Sequence, residues 1–279
     1  MSPVWHNRSE CESDAAAGAA PPPAHVWRFG TVTSCLDAAA HLVDRGLLPP
    51  WGSVQAAMQT AGRGQLRRRW QSPPGNLYVA LRLPPAPPFD GTEAAPAVGM
   101  LLAEALRAVG WPVLLKWPND LVLCADGRTP GKVAGILLEE RGGVLLAGVG
   151  VNVLWAPPRA EMRAEAALEA VCLGQWPRPG GRPLPTAEEL WRCLVTRLHS
   201  AYSILRSSPG EWRKRAEALL LWRGRHVELH DGTRSVCGRL AGLGPSGGLL
   251  LECAGVIDEF FSGSLHLFRA ADDAAGAAI

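Results

Sequence analysis

The chain has 279 residues, 47% of them hydrophobic, enough for one large domain or a large one joined to a small one. A formal net charge of +2 excludes a wholly basic glove for nucleic acid, so any anion binding must be local. The seven cysteines (Cys11, Cys35, Cys124, Cys172, Cys193, Cys237 and Cys253) are odd in number and never spaced as Cys-x-x-Cys; they point to reduced thiols in a cytoplasmic protein, not to disulfides or structural zinc.

Residues 1–24, with an alanine-rich run from Ala15 to Ala20 followed by Pro21-Pro22-Pro23, read as a disordered tail. That tail is too short and helix-poor for a helix-turn-helix domain, so no DNA partner is expected, and it lacks the basic-then-apolar start of a secretory signal. No apolar stretch reaches the roughly 18–20 residues of a membrane span. The first predicted element is a helix from Ser34 to Arg45, with Ser34 and Asp37 as a capping-box-like pair and Gly46 at its end. Strand-like pieces between Val54 and Arg82 flank a loop rich in glycine and arginine. A proline-rich connection from Pro84 to Pro96 leads into an amphipathic helix carrying Val98, Leu101, Leu102, Ala105, Leu106 and Val109, stopped by Gly110 and Pro112.

An antiparallel meander is predicted next. Val113–Lys116 and Leu121–Cys124 flank a bend, Asp126-Gly127 and Pro130-Gly131 turn the chain, and Val133–Glu139 returns into an Arg141-Gly142-Gly143 hairpin and Val144–Val153. These strands are apolar at nearly every position, which implies helices packed on the sheet. Pro157–Pro185 reads as a short helix and a loop. Thr186 and Glu189 then box the start of a long helix bearing Leu190, Leu194, Leu198, Ala201 and Leu205. A short helix over Pro209–Leu221 precedes a boundary near Trp222-Arg223-Gly224. Beyond it, short strands at His226–His230, Val236–Ala241, Leu249–Glu252 and Val256–Phe261 predict a small barrel. His226 and His230 sit on one strand, roughly 13 Å apart, so no metal site is expected there.

Two segments carry most of the chemistry. Lys116-Trp117-Pro118-Asn119-Asp120 sets a lysine, an amide and a carboxylate around a proline-stiffened bend, and Lys132 opens the apolar strand Gly131–Glu139. A cation at a strand mouth beside a polar bend suits a reaction in which negative charge builds on a phosphate or carboxylate. The loop from Gln59 to Trp70 adds Arg63, Arg67, Arg68 and Arg69 among Gly62 and Gly64, giving forked donors and close backbone approach to an anion. It is neither a P-loop nor a Gly-x-Gly-x-x-Gly turn. Composition alone leaves a nucleotide-phosphate clamp and an RNA-touching or solvated basic loop both open.

Four blocks in order, Gln59-Thr60-Ala61-Gly62-Arg63-Gly64 with Trp70 and Ser72–Tyr78, Lys116–Asp120, Gly131–Glu139 and Gly148–Val153, resemble the biotin protein ligases. The resemblance runs from about His25 to the C-terminus. It implies an α+β fold: a mixed, largely antiparallel sheet packed with helices, like class II synthetases, in a catalytic domain over 25–221, and an SH3-like barrel over 222–279. It implies activation of biotin by ATP to biotinyl-adenylate, then transfer to a lysine of a biotin carboxyl carrier protein domain. Under it, Lys132 stabilises the meeting of biotin carboxylate and α-phosphate, Arg63 holds the loop over both, and Asp120 orients the incoming lysine. Ser34, Gln59, Gly62, Arg63, Lys132 and Gly135 would contact biotin. Arg63, Arg68, Trp70, Asn119, Lys132 and Asn152 would contact ATP or the adenylate. Mg²⁺ would escort the triphosphate.

The sequence departs from the family pattern in places. Gln65, Leu66 and Arg67 replace the usual further arginine and third glycine, Ser34-Cys35-Leu36 replaces a serine-threonine-asparagine helix start, and Arg269 lies one residue from the expected closing arginine. Two other readings stand beside this one. A lipoate or octanoate ligase of the same superfamily lacks support, because no arginine pair with a glycine triplet and no histidine-aspartate block is present. A non-catalytic anion- or RNA-binding protein would have no need of Lys132 beside the Asn119-Asp120 bend. No membrane partner is expected, and a homodimer remains open.

Overall fold

The computed structural model describes residues 25–268, apart from 66–67, 126, 163–167, 177, 209 and 233. The predicted tail, Leu66, Arg67, Asp126 of the predicted turn and Arg269 lie outside the described residues. The chain folds as β1 (Val26–Val32), α1 (Cys35–Asp44), β2 (Ser53–Gln59), β3 (Leu77–Arg82), α2 (Ala94–Ala108), β4 (Val113–Lys116), β5 (Asp120–Leu123), β6 (Gly131–Arg141) and β7 (Val144–Val151). Then follow α3 (Ala187–Ser207), α4 (Glu211–Ala218), β8 (His226–His230), β9 (Ser235–Leu243), β10 (Leu249–Cys253), β11 (Val256–Phe260) and β12 (Ser264–Leu267).

Strands β1 to β7 form one seven-stranded sheet in the order β1-β2-β3-β7-β6-β5-β4. Only the β1–β2 pair is parallel; the remaining ladders are antiparallel. The five later strands make a second, antiparallel sheet in the order β11-β10-β9-β8-β12. Two strands were not foreseen. β1 precedes the helix predicted to come first, and β12 closes against β8. The segment between Pro157 and Pro185 carries 3-10 turns at Arg159–Glu161, Leu173–Gln175 and Pro179–Gly181.

Both faces of the large sheet are covered, as the uniformly apolar strands require. Helix α1 buries Cys35, Leu36, Ala39 and Leu42 on one face, against Val54, Ala56, Tyr78, Ala80 and Leu146. A buried leucine contributes about 1.5–3 kcal/mol, so Leu36 and Leu42 together add roughly 3–6 kcal/mol to the seating of this short helix. On the opposite face α2 and α3 pack Leu101, Leu102, Leu194 and Leu198 into a larger core. That core continues through Leu229, Leu240, Leu251 and Leu265 of the second sheet, so the two sheets share one hydrophobic interior. The predicted box at α3 forms: Thr186 Oγ1 accepts from the Glu189 amide at 3.2 Å, and Glu189 Oε2 accepts from the Thr186 amide at 2.9 Å. Such a cap contributes about 1 kcal/mol.

At α1 the outcome differs. Ser34 Oγ accepts from the Leu36 amide at 3.2 Å, but Asp37 does not complete a box. Its carboxylate is taken by Arg63 instead, in a two-pronged contact at 2.8 and 2.9 Å. A bidentate guanidinium outcompetes a neutral backbone amide for a carboxylate, because both partners are charged.

Candidate functional site

The face of the large sheet that carries α1 has a floor without side chains. Gly148 and Gly150 lie two residues apart on β7 and therefore point the same way. Gly150 is the register partner of Gly135 on β6. A Cβ on Gly148 would meet Leu36 Cδ1 at 2.9 Å, while Cβ atoms on Gly135 and Gly150 would meet the Trp70 indole at 2.9 and 2.5 Å. The indole thus lies directly on the two paired glycines. Its Nε1 is buried and has no hydrogen-bond partner.

Gln59 ends β2 at one side of this floor. Its Oε1 accepts from the Cys35 amide at 2.8 Å and its Nε2 donates to Ser72 Oγ at 2.9 Å. Ser34, buried at the helix start, stands beside it in sequence order with Cys35. The Cys35 thiol donates to the Tyr78 carbonyl at 3.4 Å, and burial, only partly offset by backbone hydrogen bonds, pushes it up to about 12. It is therefore a neutral thiol. Gly62 follows, backed so closely by the Trp70 carbonyl and Ser72 Oγ (2.5 and 2.6 Å from a hypothetical Cβ) that only glycine fits.

Asp120 opens β5 at the other side, four strand spacings from β2, or about 19 Å. Lys132 Nζ is 2.5 Å from Asp120 Oδ1 and 5.5 Å from the centre of the Trp70 ring. Lys116 Nζ approaches the other carboxylate oxygen, Oδ2, at 3.8 Å. Asp120 is thus flanked by two ammonium groups. Burial is the strongest influence on its carboxyl and pushes it up, but Lys132, Lys116 and Arg68 together outweigh burial and hold it below the ordinary carboxylate range. Burial likewise holds the Lys116 ammonium below the usual lysine range, against the upward pull of Asp120. The backbone of Lys132 is fixed too: its amide donates to the Glu169 carbonyl at 2.7 Å and its carbonyl accepts from Val171 at 2.9 Å.

The sequence reading did not single out Lys116 as a site residue. Its register pairing with Asp120 across the β4–β5 hairpin is the signal that identifies it. Gly148 and Gly150 entered it only as part of the Gly148–Val153 block and were given no role at the site, although a Gly-x-Gly pair on a buried strand marks a close approach. Asp37 and Glu139 were missed as well. Arg63 Nε donates to Glu139 Oε1 at 3.2 Å while its terminal nitrogens hold Asp37. The loop neck behind it is closed by an antiparallel bridge between Arg63 and Arg69 and by the Gly64 amide donating to the Arg68 carbonyl at 2.7 Å.

The two asparagines bind backbone. Asn119 Nδ2 donates to the Ile136 carbonyl at 2.7 Å, and the Ile136 amide donates back to the Asn119 carbonyl at 2.9 Å, locking the bend to β6. Asn152 Nδ2 donates to the Val171 carbonyl at 3.1 Å, tying the segment that flanks Lys132 to the end of β7. Ser34, Gln59, Gly62, Gly135, Trp70, Lys132 and Asp120 are gathered around the glycine floor on which the Trp70 indole lies. Arg68 reaches it electrostatically. Arg63, Asn119 and Asn152 brace its frame. Among the described residues no group of three or more His, Cys, Asp and Glu side chains could hold a metal ion, and no helix is long and apolar enough to cross a membrane.

A glycine floor with hydrogen-bonding groups at one side and two lysines around a carboxylate at the other suits a long ligand with a polar head and an anionic tail. The sequence model of the Biotin/lipoate A/B protein ligase family matches residues 48–154. The chain is 32% identical over 246 residues to the bifunctional ligase/repressor BirA of Escherichia coli, covering 81% of this chain and 70% of that one. A biotin–acetyl-CoA-carboxylase ligase of Paracoccus denitrificans is 39% identical over 116 residues, 37% of this chain and 45% of that protein. Among solved structures, the biotin protein ligase of Aquifex aeolicus in complex with biotin and ATP superposes with a TM-score of 0.70 at 27% identity, over 88% of this chain and 99% of that one.

Proposed function

The chain belongs to the biotin protein ligase family, and we propose that it works as an ATP-dependent ligase with the site described above as its active site. It activates biotin as biotinyl-5'-AMP and transfers the biotinyl group to a lysine of a biotin carboxyl carrier protein domain. Relatives named for biotin, and a structural neighbour holding biotin and ATP, favour this over the lipoate reading.

In the first step a carboxylate oxygen of biotin bonds to the α-phosphorus of ATP, and the bond to the β-phosphate oxygen breaks to release pyrophosphate. Two anions must meet, so positive charge has to be present beforehand where the negative charge spreads. Lys132 supplies it. Its ammonium is held by Asp120, and Arg68 adds charge nearby. Ser34 and Gln59 hold the ureido head, Gly135 provides a close wall, Gly62 contacts biotin through the loop backbone that it packs against Trp70 and Ser72, and Trp70 gives an apolar surface beside the two paired glycines. Its unpaired indole N–H is a donor for ligand oxygen. Arg63 braces the loop. Asn119 and Asn152 orient the nucleotide through the segments they fasten. Mg²⁺ arrives on the triphosphate as part of the substrate.

In the second step the acceptor amine attacks the acyl carbon, a C–N bond forms, and AMP leaves. The incoming lysine ammonium releases its proton to solvent, and the Asp120 carboxylate, kept ionised by its cationic neighbours, orients it for attack as the acyl C–O bond to AMP breaks. We assign residues 25–221 to the ligase unit and 222–279 to the C-terminal unit, and the free thiols and use of ATP support a cytoplasmic location.

The observation that carries this reading is the Lys132–Asp120 pair at the end of the glycine floor. Incubation with ATP, a carrier domain and either labelled biotin or labelled octanoate tests it. Label from biotin alone should reach the carrier; label from octanoate alone, or from neither, would overturn the assignment.

A further inference from the structure

The bend that carries Asp120 is gripped from the second sheet. Trp117, next to Lys116 and 1% exposed, donates from Nε1 to the Gly247 carbonyl at 2.9 Å. Gly247 belongs to the turn between β9 and β10, 130 residues further along the chain. The same turn is fastened a second time: Thr92 Oγ1, just ahead of α2, donates to the Ser246 carbonyl at 2.6 Å. Gly247 has φ +80°, and a Cβ there would stand 2.6 Å from Glu93 Cα. Only glycine brings this carbonyl so close, so the turn is shaped to reach the tryptophan.

We infer that Trp117 is a positioning residue through which the C-terminal sheet fixes the Asp120 carboxylate for the acceptor amine; this rests on the ligase reading above. Trp117 joins Lys116, which pairs with Asp120 in the β4–β5 register, to the bend that returns into Asp120. Anchoring the indole N–H to Gly247 therefore fixes the end of β4 and the start of the bend from outside the catalytic sheet. A group held within a fraction of an ångström reacts far faster than one that wanders. The contacts of the biotin end, at Ser34 and Gln59, are made to α1, β2 and Ser72, and do not involve this grip.

The test uses the full chain and three variants: Trp117→Phe, which keeps the ring and removes the donor, Gly247→Ala, which pushes the carbonyl away, and the double variant. Turnover in biotin transfer to the carrier is expected to fall about tenfold in Trp117→Phe, the effect of losing about 1.4 kcal/mol of buried hydrogen bonding, with KM for biotin within twofold. Gly247→Ala is expected to show the same split, and the double variant is expected to be no worse than the poorer single one, because both break one contact. Unchanged turnover in Trp117→Phe, an equal change in biotin KM, or additive losses in the double variant would overturn the inference. If Gly247→Ala does not fold, the split between turnover and KM in Trp117→Phe decides alone. Failure of the unchanged chain to transfer biotin would instead sink the ligase reading, so the two failures are distinguishable.

Discussion

Asp120 and Lys132 face each other from adjacent antiparallel strands, carboxylate oxygen 2.5 Å from ammonium nitrogen, at the edge of a floor made of glycine. The pair places a cation before any substrate enters. Such prior placement avoids reorganisation during the reaction, which is the main electrostatic contribution an enzyme makes. Because Lys116 touches the second oxygen of the same carboxylate, Asp120 serves two cations, and several consequences can be measured.

Asp120→Asn leaves Lys116 buried without its counter-charge. Breaking a buried pair costs about 3–5 kcal/mol in general; with Asp120 18% exposed, about 2–3 kcal/mol is expected here. Urea unfolding at pH 7 reads this directly, and an unchanged midpoint would show that the carboxylate does not stabilise the ammonium.

Acid stability has a defined sign. Burial raises the Asp120 carboxyl, but Lys132, Lys116 and Arg68 together lower it, so the folded chain releases this proton more readily than the unfolded chain. Asp37 is lowered too, chiefly by its hydrogen bond from Arg63 and against burial. The stability each supplies is present above the ordinary carboxylate value, about 3.9, and is lost as pH falls through the depressed folded value. Asp120→Asn should therefore flatten the loss of stability below about pH 4. An equally steep acid limb in the variant would contradict the depressed carboxyl.

Gly150→Ala puts a methyl 2.5 Å from the Trp70 indole. Overpacking of this kind costs about 1–3 kcal/mol. The indole must leave its seat over β6 and β7, and biotin affinity measured by calorimetry should drop at least about tenfold, as roughly 1.4 kcal/mol implies. Native affinity with native stability would mean that the seat of Trp70 is not part of the ligand slot.

Most elements were legible because their signals are local. The apolar stripe of α2, the Thr186–Glu189 box and the Gly142-Gly143 turn each lie within a few residues. β1 was not, since Val26–Val32 is a half-exposed edge strand interrupted by Gly30, and its pairing with β2 is set by tertiary contact. β12 has only four residues, with a histidine among them. At the site, the residue types were legible and their partners were not. Asp37 looked like a cap but pairs with Arg63, 26 residues away. Nothing local marked the backbone partners of Asn119 and Asn152, the Ile136 and Val171 carbonyls, which lie 17 and 19 residues away. Lys116 gained its role only from strand register.

The arginine loop should close over substrates. Its neck is held by Arg63 on Asp37 and Glu139, while Gln65 reaches the rim of a cleft of about 200 Å³ shared with Pro96, Trp117, Pro118 and Phe261. Trypsin should nick residues 63–69 several-fold more slowly with biotin and ATP present, an order-of-magnitude expectation for a loop that orders on binding. Arg63→Ala should abolish that protection. Equal nicking rates with and without substrates would rule out closure.

The most direct measurement is biotin-dependent exchange of pyrophosphate into ATP by Lys132→Ala. Removing one preorganised cation or donor typically costs about 10²–10³ in rate, so exchange should fall by at least that factor while circular dichroism shows a folded chain, its unfolding midpoint lowered by the loss of the Asp120 pairing. Exchange retained at the unchanged rate in a folded Lys132→Ala protein would contradict the assignment of this ammonium to the meeting of carboxylate and phosphate.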